Sequence, residues 1–412
     1  SDPVRAVCPG AAGADDEMPI SERTALLMCI RNEDAQGVYR NLDIMISGLV
    51  ERGVARHFHA YVLSDSSWNE LVEEEPQIFE RLVDRWRGIV PVTYRRRAVN
   101  DGFKAGNIRD FCDRWGGDHD FALVLDADSL MDTDTILRLV RTMQQRPEIG
   151  ILQSLIVGTP TVSPFARVFQ YGMRLGMQSY TLGSAWWQGD CGPYWGHKAL
   201  IRLTPLIQHC GLPKLPGGPP LGGLILSHDQ VEAVLMRRAG FEVRVLPDEG
   251  ESWEQNPPTL LEFIRRDLRW CQGNMQYWPL LRMPGLRLAS RVQLALAILM
   301  FLGSPAWLLF MTIGMLRVGM AEDPGNLFDA EAGLVLFSAI MLMVFAPKIA
   351  TLLDLVTRQG RALAFGGRPL LLTGFAGEVF FSALLAPVMA LAHTRFLLGL
   401  PFGHAAVWSA QR

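Results

Sequence analysis

The sequence predicts an α/β domain with a mostly parallel sheet, followed by transmembrane α-helices. Short apolar runs alternate with amphipathic helical patterns over the first part of the chain, as in parallel strands joined by crossover helices. Charge is concentrated before Arg291, and the apolar run 292–316 carries none. Because about 20 apolar residues already span a bilayer core, that run predicts a membrane helix. A buried helix of a soluble protein is the alternative.

Four short apolar runs predict the strands of the sheet. They are Thr24 to Ile30, His59 to Ser64, Val90 to Tyr94 and Phe121 to Leu125. Helical patterns, such as Ile136 to Gln145, lie between or after them. In such sheets ligands bind beyond the carboxyl ends of the strands. Asp65 follows the second run and Asp126 and Asp128 follow the fourth, so this edge is the predicted site.

Asp126 and Asp128 predict a divalent-metal site. Their hard carboxylate oxygens suit Mg²⁺ or Mn²⁺ and leave coordination positions for substrate phosphates. A plain turn after a strand is the alternative, because Asp is common in turns. Lys104, in the phrase Lys-Ala-Gly-Asn that ends at Asn107, can meet a diphosphate as a point charge. A solvated lysine on a surface turn explains that phrase equally well.

Asp229 ends the phrase Ser-His-Asp and lies just before a helix predicted over Gln230 to Arg238. It is a candidate general base held at a helix N-terminus, and a helix-capping residue is the alternative. His228 either orients that base or is an ordinary neighbour. Asp229 is far from Asp128 in sequence, so only folding can bring them together.

Two amphipathic helices are predicted to lie at a membrane interface. One covers 165–180, and the other begins at Leu260 and carries Arg265 and Arg269 opposite an apolar stripe. Surface helices of a soluble domain would show the same pattern.

The segment between these helices is rich in aromatic residues. Trp187 and Trp195 have polar neighbours, and flat apolar rings in such a setting suit the C–H faces of sugars. We therefore predict an acceptor site here that includes Trp187, Trp195 and His197. Core packing of amphipathic rings is the alternative.

Three apolar stretches predict membrane spans at about 292–316, 332–356 and 369–394. Arginines precede the first and lie between the second and third, whereas the loop between the first and second is acidic. That acidic loop contains Glu322, Asp323, Asp329 and Glu331. By the positive-inside rule, residues 1–291 and the loop 357–368 are cytoplasmic. We expect the loop 357–368 to act as a gate over the predicted site at the strand ends, and a solvated loop is the alternative.

Charge and cysteine usage exclude other classes. A net charge of −3 without a basic face argues against a nucleic-acid partner. The six cysteines show no zinc-binding or CxxC spacing, and a cytoplasmic domain does not favour disulfides. The chain starts without Met, so we expect a fragment or a processed chain, with a flexible segment over residues 1–20.

Taken in order, the polar phrases resemble those of the processive family 2 glycosyltransferases with a GT-A fold, such as cellulose synthase. The phrases are Asp65, Lys104-Ala-Gly-Asn107, Asp126-Ala-Asp128, Trp195-Gly-His197, Ser227-His-Asp229 and Arg266-Asp-Leu-Arg269-Trp270. Arg-x-x-Arg-Trp replaces the usual Gln-x-x-Arg-Trp, and Ser-His-Asp replaces the usual Thr-Glu-Asp. Both variants are similar to the glucan biosynthesis glucosyltransferase H family. The resemblance covers roughly residues 24 to 395.

The resemblance implies an inverting, metal-dependent glucosyltransferase of the Gram-negative inner membrane. It would polymerise glucose from UDP-glucose into the β-1,2-linked backbone of osmoregulated periplasmic glucans, with export left open. The implied partners are UDP-glucose, the growing glucan, the lipid bilayer and a periplasmic glucan-processing protein. The alternatives are a β-1,4-glycan synthase, a single-transfer polyprenyl-phosphate glycosyltransferase and a non-enzymatic membrane scaffold.

The resemblance also implies an organisation and residue roles. A Rossmann-like GT-A domain covers 21–255, an interface helix lies within 256–288 and a membrane region, which we expect to be incomplete, covers 289–412. Asp229 is the implied base, and Asp128, aided by Asp126, the implied ligand of Mg²⁺ or Mn²⁺. The implied donor contacts are Asp65, Lys104, Asn107, Asp126, Arg266 and Arg269. The implied acceptor contacts are Trp270, Trp195, Trp187 and His197.

Overall fold

A computed structural model of the chain describes residues 3–11, 17–321, 329–358 and 360–406. The strands are β1 (Thr24–Ile30), β2 (Phe58–Ser64), β3 (Val92–Arg96), β4 (Phe121–Asp126), β5 (Leu130–Met131), β6 (Ile149–Ser154), β7 (Val157–Gly158), β8 (Ala199–Arg202), β9 (Glu242–Leu246) and β10 (Ser252–Glu254). The helices are α1 (Pro3–Val7), α2 (Ala35–Glu51), α3 (Asn69–Trp86), α4 (Phe103–Trp115), α5 (Thr133–Gln145), α6 (Pro164–Gln188), α7 (Leu203–His209), α8 (Asp229–Arg238), α9 (Leu260–Met275), α10 (Leu288–Gly319), α11 (Ala330–Thr357) and α12 (Arg368–Gly399).

The main sheet has seven strands in the order β3-β2-β1-β4-β8-β6-β9. β1 pairs in parallel with β2 and with β4, and only β8 runs antiparallel to its neighbours. The predicted α/β class with a mostly parallel sheet is thus confirmed. β3 begins two residues later than its apolar run, because Pro91 has no N–H to donate to the ladder.

The sheet is covered by apolar side chains on both faces. Successive side chains of a strand alternate between faces, so Leu26 and Met28 of β1 enter one buried cluster while Leu27 enters the other. The second cluster also contains Leu294 and Ile298 from the beginning of α10. The first apolar helix is therefore packed into the core of the sheet domain.

A second, small sheet in the order β5-β10-β7 lies near the end of β4. Trp253 pairs with Leu130 on one side and with Val157 on the other. Because β5 follows Asp128 closely in the chain, this pairing brings Glu254, the last residue of β10, to the same edge of the main sheet.

In the part of the chain that the structure describes, three helices are long and apolar enough to cross a membrane: Leu288–Gly319, Ala330–Thr357 and Arg368–Phe402. They include the predicted spans. α6 packs against α11 and α12, and α9 packs against α10 and α12. Both predicted amphipathic helices therefore lie beside the apolar ones. Glu322 and Asp323 of the predicted acidic loop lie outside the described residues.

Part of the N-terminal segment, which we expected to be flexible, is packed against the domain. Val7 is buried with Ala185 of α6 and Val245 of β9, and its carbonyl accepts a hydrogen bond of 3.2 Å from Arg244 Nη1. The neighbouring Cys8 is fully buried. Burial of the apolar side chains of Val7 and Cys8 therefore holds this part of the segment against the domain.

Candidate active site

The carboxyl ends of β1, β2 and β4 bring the predicted residues to one edge of the sheet. Asp126 is the last residue of β4 and pairs with Cys29 of β1. Asp65 directly follows β2, and its N–H donates to the Ile30 carbonyl at 2.9 Å. The first turn of α4 carries Lys104, and the first residue of α8 is Asp229.

Asp65 is held by a bidentate ion pair with Arg97. Nε and Nη2 of Arg97 each lie 2.7 Å from one of the two carboxylate oxygens, and only 4% of the Asp65 side chain is exposed. A fork-to-fork pair of this kind fixes the orientation of the carboxylate. Its oxygens retain lone pairs that can accept a further hydrogen bond.

Asn107 does not face the open edge. It is buried, its Nδ2 donates to the Leu63 carbonyl at 2.8 Å, and its Oδ1 accepts from Arg95 Nη1 at 2.6 Å. The amide therefore joins α4 to the end of β2. This geometry does not support the predicted direct contact between Asn107 and the donor, because both ends of the amide have protein partners.

Lys104 forms an ion pair with Asp126 and also donates to the Gly196 carbonyl at 2.8 Å. Burial lowers the pKa of Lys104, but Asp126, together with Cys29 and Asp229, outweighs burial and the pKa is raised. Burial raises the pKa of Asp126, but Lys104 and His197 together outweigh it and the pKa is lowered. Both groups are therefore charged at neutral pH. Asp126 remains 38% exposed, so the pair is accessible to a ligand.

The beginning of α4 needs glycine to place Lys104 here. A Cβ at Gly106 would lie 2.0 Å from the Asp101 carbonyl oxygen. The turn that precedes Lys104 would have to open to accommodate any side chain.

A buried glutamate that sequence reasoning missed completes the charged edge. Glu254 Oε2 lies 2.6 Å from His197 Nε2 and 3.2 Å from Nζ of Lys198, and Oε1 lies 3.7 Å from Arg266 Nη1. Burial raises the pKa of Glu254, but His197 and Lys198 outweigh burial and hold it well below its usual range. The other nitrogen of His197 is 3.5 Å from Asp126 Oδ2, so His197 lies between two carboxylates.

Asp128 carries an excess of negative charge around it. Its Oδ2 accepts from the Gln255 N–H at 3.1 Å. Burial and the nearby Glu254 raise the pKa of Asp128 to about 6. Glu33, after β1, has its pKa raised to about 8, chiefly by burial and further by Asp126 and Asp128. Glu33 was not among the site residues predicted from the sequence.

The residues present fit a divalent cation. Among the described residues no group of three or more His, Cys, Asp or Glu side chains encloses a metal by itself. Asp126 and Asp128 nevertheless supply hard oxygen ligands at a partly exposed position. The raised pKa of Asp128 reflects carboxylates that an incoming cation would neutralise.

Asp229 lies across the Gly196 loop from Lys104. A Cβ at Gly196, where φ is +81°, would lie 3.2 Å from the Asp229 Cβ. Burial raises the pKa of Asp229, and His228 opposes that rise without cancelling it. Asp126 and Asp229 both contribute to raising the pKa of Lys104, so this lysine lies between the candidate metal ligands and the candidate base.

Helix α9 presents its arginines to the same edge. The Arg266 guanidinium lies 4.8 Å from the ring centre of Trp270, which is 47% exposed. Burial and Arg266 lower the pKa of Arg269, whereas Glu33 and Asp126 oppose that shift. Arg269 is therefore within electrostatic reach of the strand-end carboxylates.

Close packing fixes α9 against the segment that carries Asp229. A Cβ at Gly273 would lie 2.1 Å from Ser227 Oγ. The Tyr277 hydroxyl donates to the Ser227 carbonyl at 2.9 Å. The helix that carries the Arg-x-x-Arg-Trp phrase is thus in contact, near its end, with the Ser-His-Asp phrase.

The predicted acceptor aromatics do not form one group. Trp195 packs against the cluster of Val7, Ala185 and Val245, as in the core-packing alternative. Trp187 is exposed near the end of α6. His197 belongs to the charged edge, through Glu254 and Asp126. Trp270 is the predicted aromatic that lies beside that edge.

The sheet order, the Asp-Ala-Asp phrase after a central strand and the charged residues gathered at this edge define a glycosyltransferase with a GT-A fold. The family described as Glycosyl transferase family group 2 matches residues 121–349, and Glycosyl transferase family 2 matches 26–209. The first match covers more than half of the chain, which therefore belongs to the glycosyl transferase family 2 group.

Two curated relatives extend this assignment. The chain is 36% identical to the glucans biosynthesis glucosyltransferase H of Caulobacter vibrioides, over 97% of this chain and 63% of the relative. It is 38% identical to the protein of the same name in Vibrio cholerae, over 96% of this chain and 57% of the relative. The predicted resemblance to this group is confirmed. The chain spans about three fifths of the length of these relatives.

A solved structure confirms the fold. It is a mannosyltransferase from Pyrobaculum calidifontis in complex with GDP-Man and Mn²⁺, with a TM-score of 0.50 and 13% sequence identity. The similarity covers 89% of this chain and 91% of that one.

Proposed function

We propose that the chain is the catalytic and membrane part of an inverting glucosyltransferase that polymerises glucose from UDP-glucose into a β-1,2-linked glucan. The observation that carries this proposal is the meeting of three polar phrases at one edge of the sheet: Lys104 forms an ion pair with Asp126 and donates to the Gly196 carbonyl, and Asp229 lies against Gly196. The names of the curated relatives support glucose as the sugar and a glucan as the product.

Asp126 and Asp128 would hold Mg²⁺ or Mn²⁺ on the donor diphosphate. The metal would neutralise the charge that develops on the leaving UDP. The Mn²⁺ and GDP-Man named for the Pyrobaculum mannosyltransferase support metal use with a nucleotide sugar. Lys104 and Arg269 would add fixed positive charge at the same edge, and Asp65, oriented by Arg97, would accept a hydrogen bond from the uridine.

Asp229 would act as general base. An acceptor hydroxyl oxygen attacks the anomeric carbon from the face opposite UDP, the carbon–oxygen bond to UDP breaks, and the hydroxyl proton passes to Asp229. This single displacement converts the α-linked donor into a β-linkage. Burial suits Asp229 to the task, because a raised pKa makes its carboxylate a better proton acceptor.

Trp270 is the best-placed acceptor contact. Its ring is about half exposed, and Arg266 fixes it from one side. Stacking of a sugar on the remaining face would hold the acceptor beside the strand ends. Trp187, which is exposed, is a second candidate acceptor contact, whereas the packing of Trp195 favours a structural role.

The three apolar helices would place the enzyme in the inner membrane with the sheet domain in the cytoplasm, as the positions of the arginines indicate.

The connecting loop 357–368 contains a short 3-10 helix, Arg361–Phe365, that contacts α6. Phe365 contacts the Tyr171 ring edge-on at 5.8 Å and lies beneath the Arg174 guanidinium at 4.9 Å. A gating role would require this loop to leave α6. Unchanged transfer after deletion of residues 362–365 would remove the gating proposal.

The decisive experiment supplies purified protein with a panel of nucleotide sugars and either Mg²⁺ or Mn²⁺. We expect UDP release with UDP-glucose and a product whose linkage analysis gives β-1,2 bonds. β-1,4 bonds would assign the enzyme to cellulose-like synthases. A single glucose on a polyprenyl phosphate would identify the single-transfer alternative, and absence of UDP release would support a scaffold.

A further inference from the structure

The residue before the candidate base belongs to a buried ion pair. His228 Nδ1 lies 3.1 Å from Glu232 Oε2, one turn further along α8, and 8% and 7% of the two side chains are exposed. The His228 ring also lies under the Gly196 loop, since a Cβ at Gly196 would be 3.9 Å from its Cε1. His228 is thus enclosed by protein and cannot reach a substrate directly.

Few charged groups surround this pair. From α8 itself Asp229 and Glu232 face His228, and from α4 Lys104 is within electrostatic reach. The other titratable neighbours of Asp229 and Glu232 are Tyr194 and Tyr277, which respond to both, and Cys112 and Cys210, which respond to Glu232. Burial raises the pKa of all four, so they are neutral at physiological pH.

We propose that Glu232 and His228 are positioning residues for Asp229: Glu232 holds His228 as an imidazolium, and this cation stabilises the ionised base beside it. The inference rests on the proposed function of Asp229. It also gives a physical role to the histidine of the Ser-His-Asp phrase, which the sequence left open between an orienting residue and an ordinary neighbour.

The charges of Glu232 and His228 determine in which direction the pKa of Asp229 shifts. Burial lowers the pKa of His228, but Glu232 together with Asp229 outweighs burial, and the pKa is raised. Burial and Glu232 raise the pKa of Asp229, whereas His228 and the backbone N–H groups of Asp229 and Gln230 lower it. Without the imidazolium, only those N–H groups would oppose burial and Glu232, so the pKa of Asp229 would rise further. Removal of both charges would take away the repulsion from Glu232 as well.

The test compares pH profiles of kcat for the wild type, His228→Gln and the double variant His228→Gln/Glu232→Gln. Saturating UDP-glucose and Mn²⁺ are used, so that Asp128 is already ligated and the acid limb reports Asp229. For His228→Gln we expect the acid limb to move up by about one pH unit or more, since an adjacent opposite charge shifts a pKa by about 1–3 units. In the double variant the acid limb should move back part of the way toward its wild-type position.

Two further variants make the test specific. His228→Lys keeps a cation beside Asp229, so its acid limb should lie no higher than that of the wild type. His209→Gln, at an exposed position at the end of α7, should leave the profile unchanged. If His228→Gln does not fold, the comparison of His228→Lys with the wild type decides, and an acid limb above the wild-type position would overturn the proposal.

The possible failures are distinguishable. Equal loss of kcat at every pH, with the acid limb unmoved in His228→Gln, would mean that the pair only supports the fold, and the inference would be wrong. Absence of glucose transfer by the wild-type enzyme would instead contradict the proposed function, before any variant is compared.

Discussion

Two lysine–carboxylate clusters lie in different parts of the molecule and differ in how fully their charges are paired. The strand-end cluster (Lys104, Asp126, Asp128, His197 and Glu254) is partly exposed and has a carboxylate, Asp128, whose pKa is raised to about 6. The apolar-helix cluster (Lys348, Glu378 and Ser382) lies on α11 and α12. There, Glu378 Oε1 is 2.5 Å from the Lys348 ammonium and 2.6 Å from the Ser382 hydroxyl.

The difference indicates what each cluster is for. The strand-end cluster has surplus negative charge that an incoming cation can neutralise. In the apolar-helix cluster the single carboxylate is already paired with a lysine: Glu378 is 4% exposed, and a Cβ at Gly172 of α6 would lie 2.6 Å from its Oε1. We infer that the first cluster is arranged for a ligand and the second holds three helices together.

The largest expected effect concerns the base beside the strand-end cluster. Asp229→Asn should lower glucose transfer by about 10²- to 10⁴-fold, because general-base catalysis contributes that much. UDP binding should persist, since the donor contacts remain. Transfer and UDP binding are measured together, with Asp113→Asn, at an exposed position on α4, as control. Transfer near the wild-type rate in Asp229→Asn would show that another group takes the proton.

The apolar-helix cluster should respond in stability rather than chemistry. Lys348→Met should lower the free energy of unfolding by about 3–5 kcal/mol, because it leaves the buried Glu378 carboxylate unpaired. Glu378→Gln should cost less, since 22% of the Lys348 side chain is exposed. The double variant should lose much less. Unfolding in detergent and transfer per folded molecule are compared. Loss of transfer at unchanged stability would show that this cluster has a role in the reaction, and the structural role inferred for it would be wrong.

A packing change tests the link between α9 and the segment that carries the base. Gly273→Ala should cost about 1–3 kcal/mol of stability through overpacking, because its Cβ meets Ser227 Oγ at 2.1 Å. It should also reduce transfer, since Arg269 and Asp229 would separate. Gly183→Ala, in α6 with nothing within 4 Å of the added Cβ, is the matched control. Equal behaviour of the two variants would contradict this contact.

The smallest expected effect is a pH dependence of metal binding at the strand-end cluster. Because the pKa of Asp128 is raised to about 6, a proton competes with the metal below that pH and is absent above it. Mn²⁺ affinity should therefore be about tenfold weaker at pH 5 than at pH 7. Below the pKa of Asp128, binding of the metal releases close to one proton, and above it almost none. Calorimetry on the wild type and Asp128→Asn measures this. A flat profile in the wild type would exclude Asp128 as a ligand.

The sequence predicted those site residues that follow long, regular strands. Asp65, Asp126 and Asp128 each come after a run that reads as a buried strand, and carboxyl ends of parallel strands meet at one edge. Glu254 escaped prediction because β10 has three residues and pairs only with segments distant in sequence. Lys198 escaped because a fully buried lysine at φ +51° has no sequence signal.

Asn107 illustrates a different limit. The phrase Lys-Ala-Gly-Asn lies at the start of α4, but the partner of the Asn107 amide was not predictable from the sequence. Arg95 reaches it from β3, a contact between elements that only the folded sheet brings together. Motif spacing located the segment and left open which of its side chains turns outward.

The contact between Lys104 and Asp126 has a consequence for the order in which ligands arrive. A metal that coordinates Asp126 through the oxygen that Lys104 contacts would displace the ammonium, which remains tethered to the Gly196 carbonyl. Metal alone would thus exchange one cation for another and leave a lysine without its carboxylate. A diphosphate that arrives with the metal gives the displaced ammonium a new anionic partner. The two ligands should therefore bind synergistically, each raising the affinity for the other by the same factor.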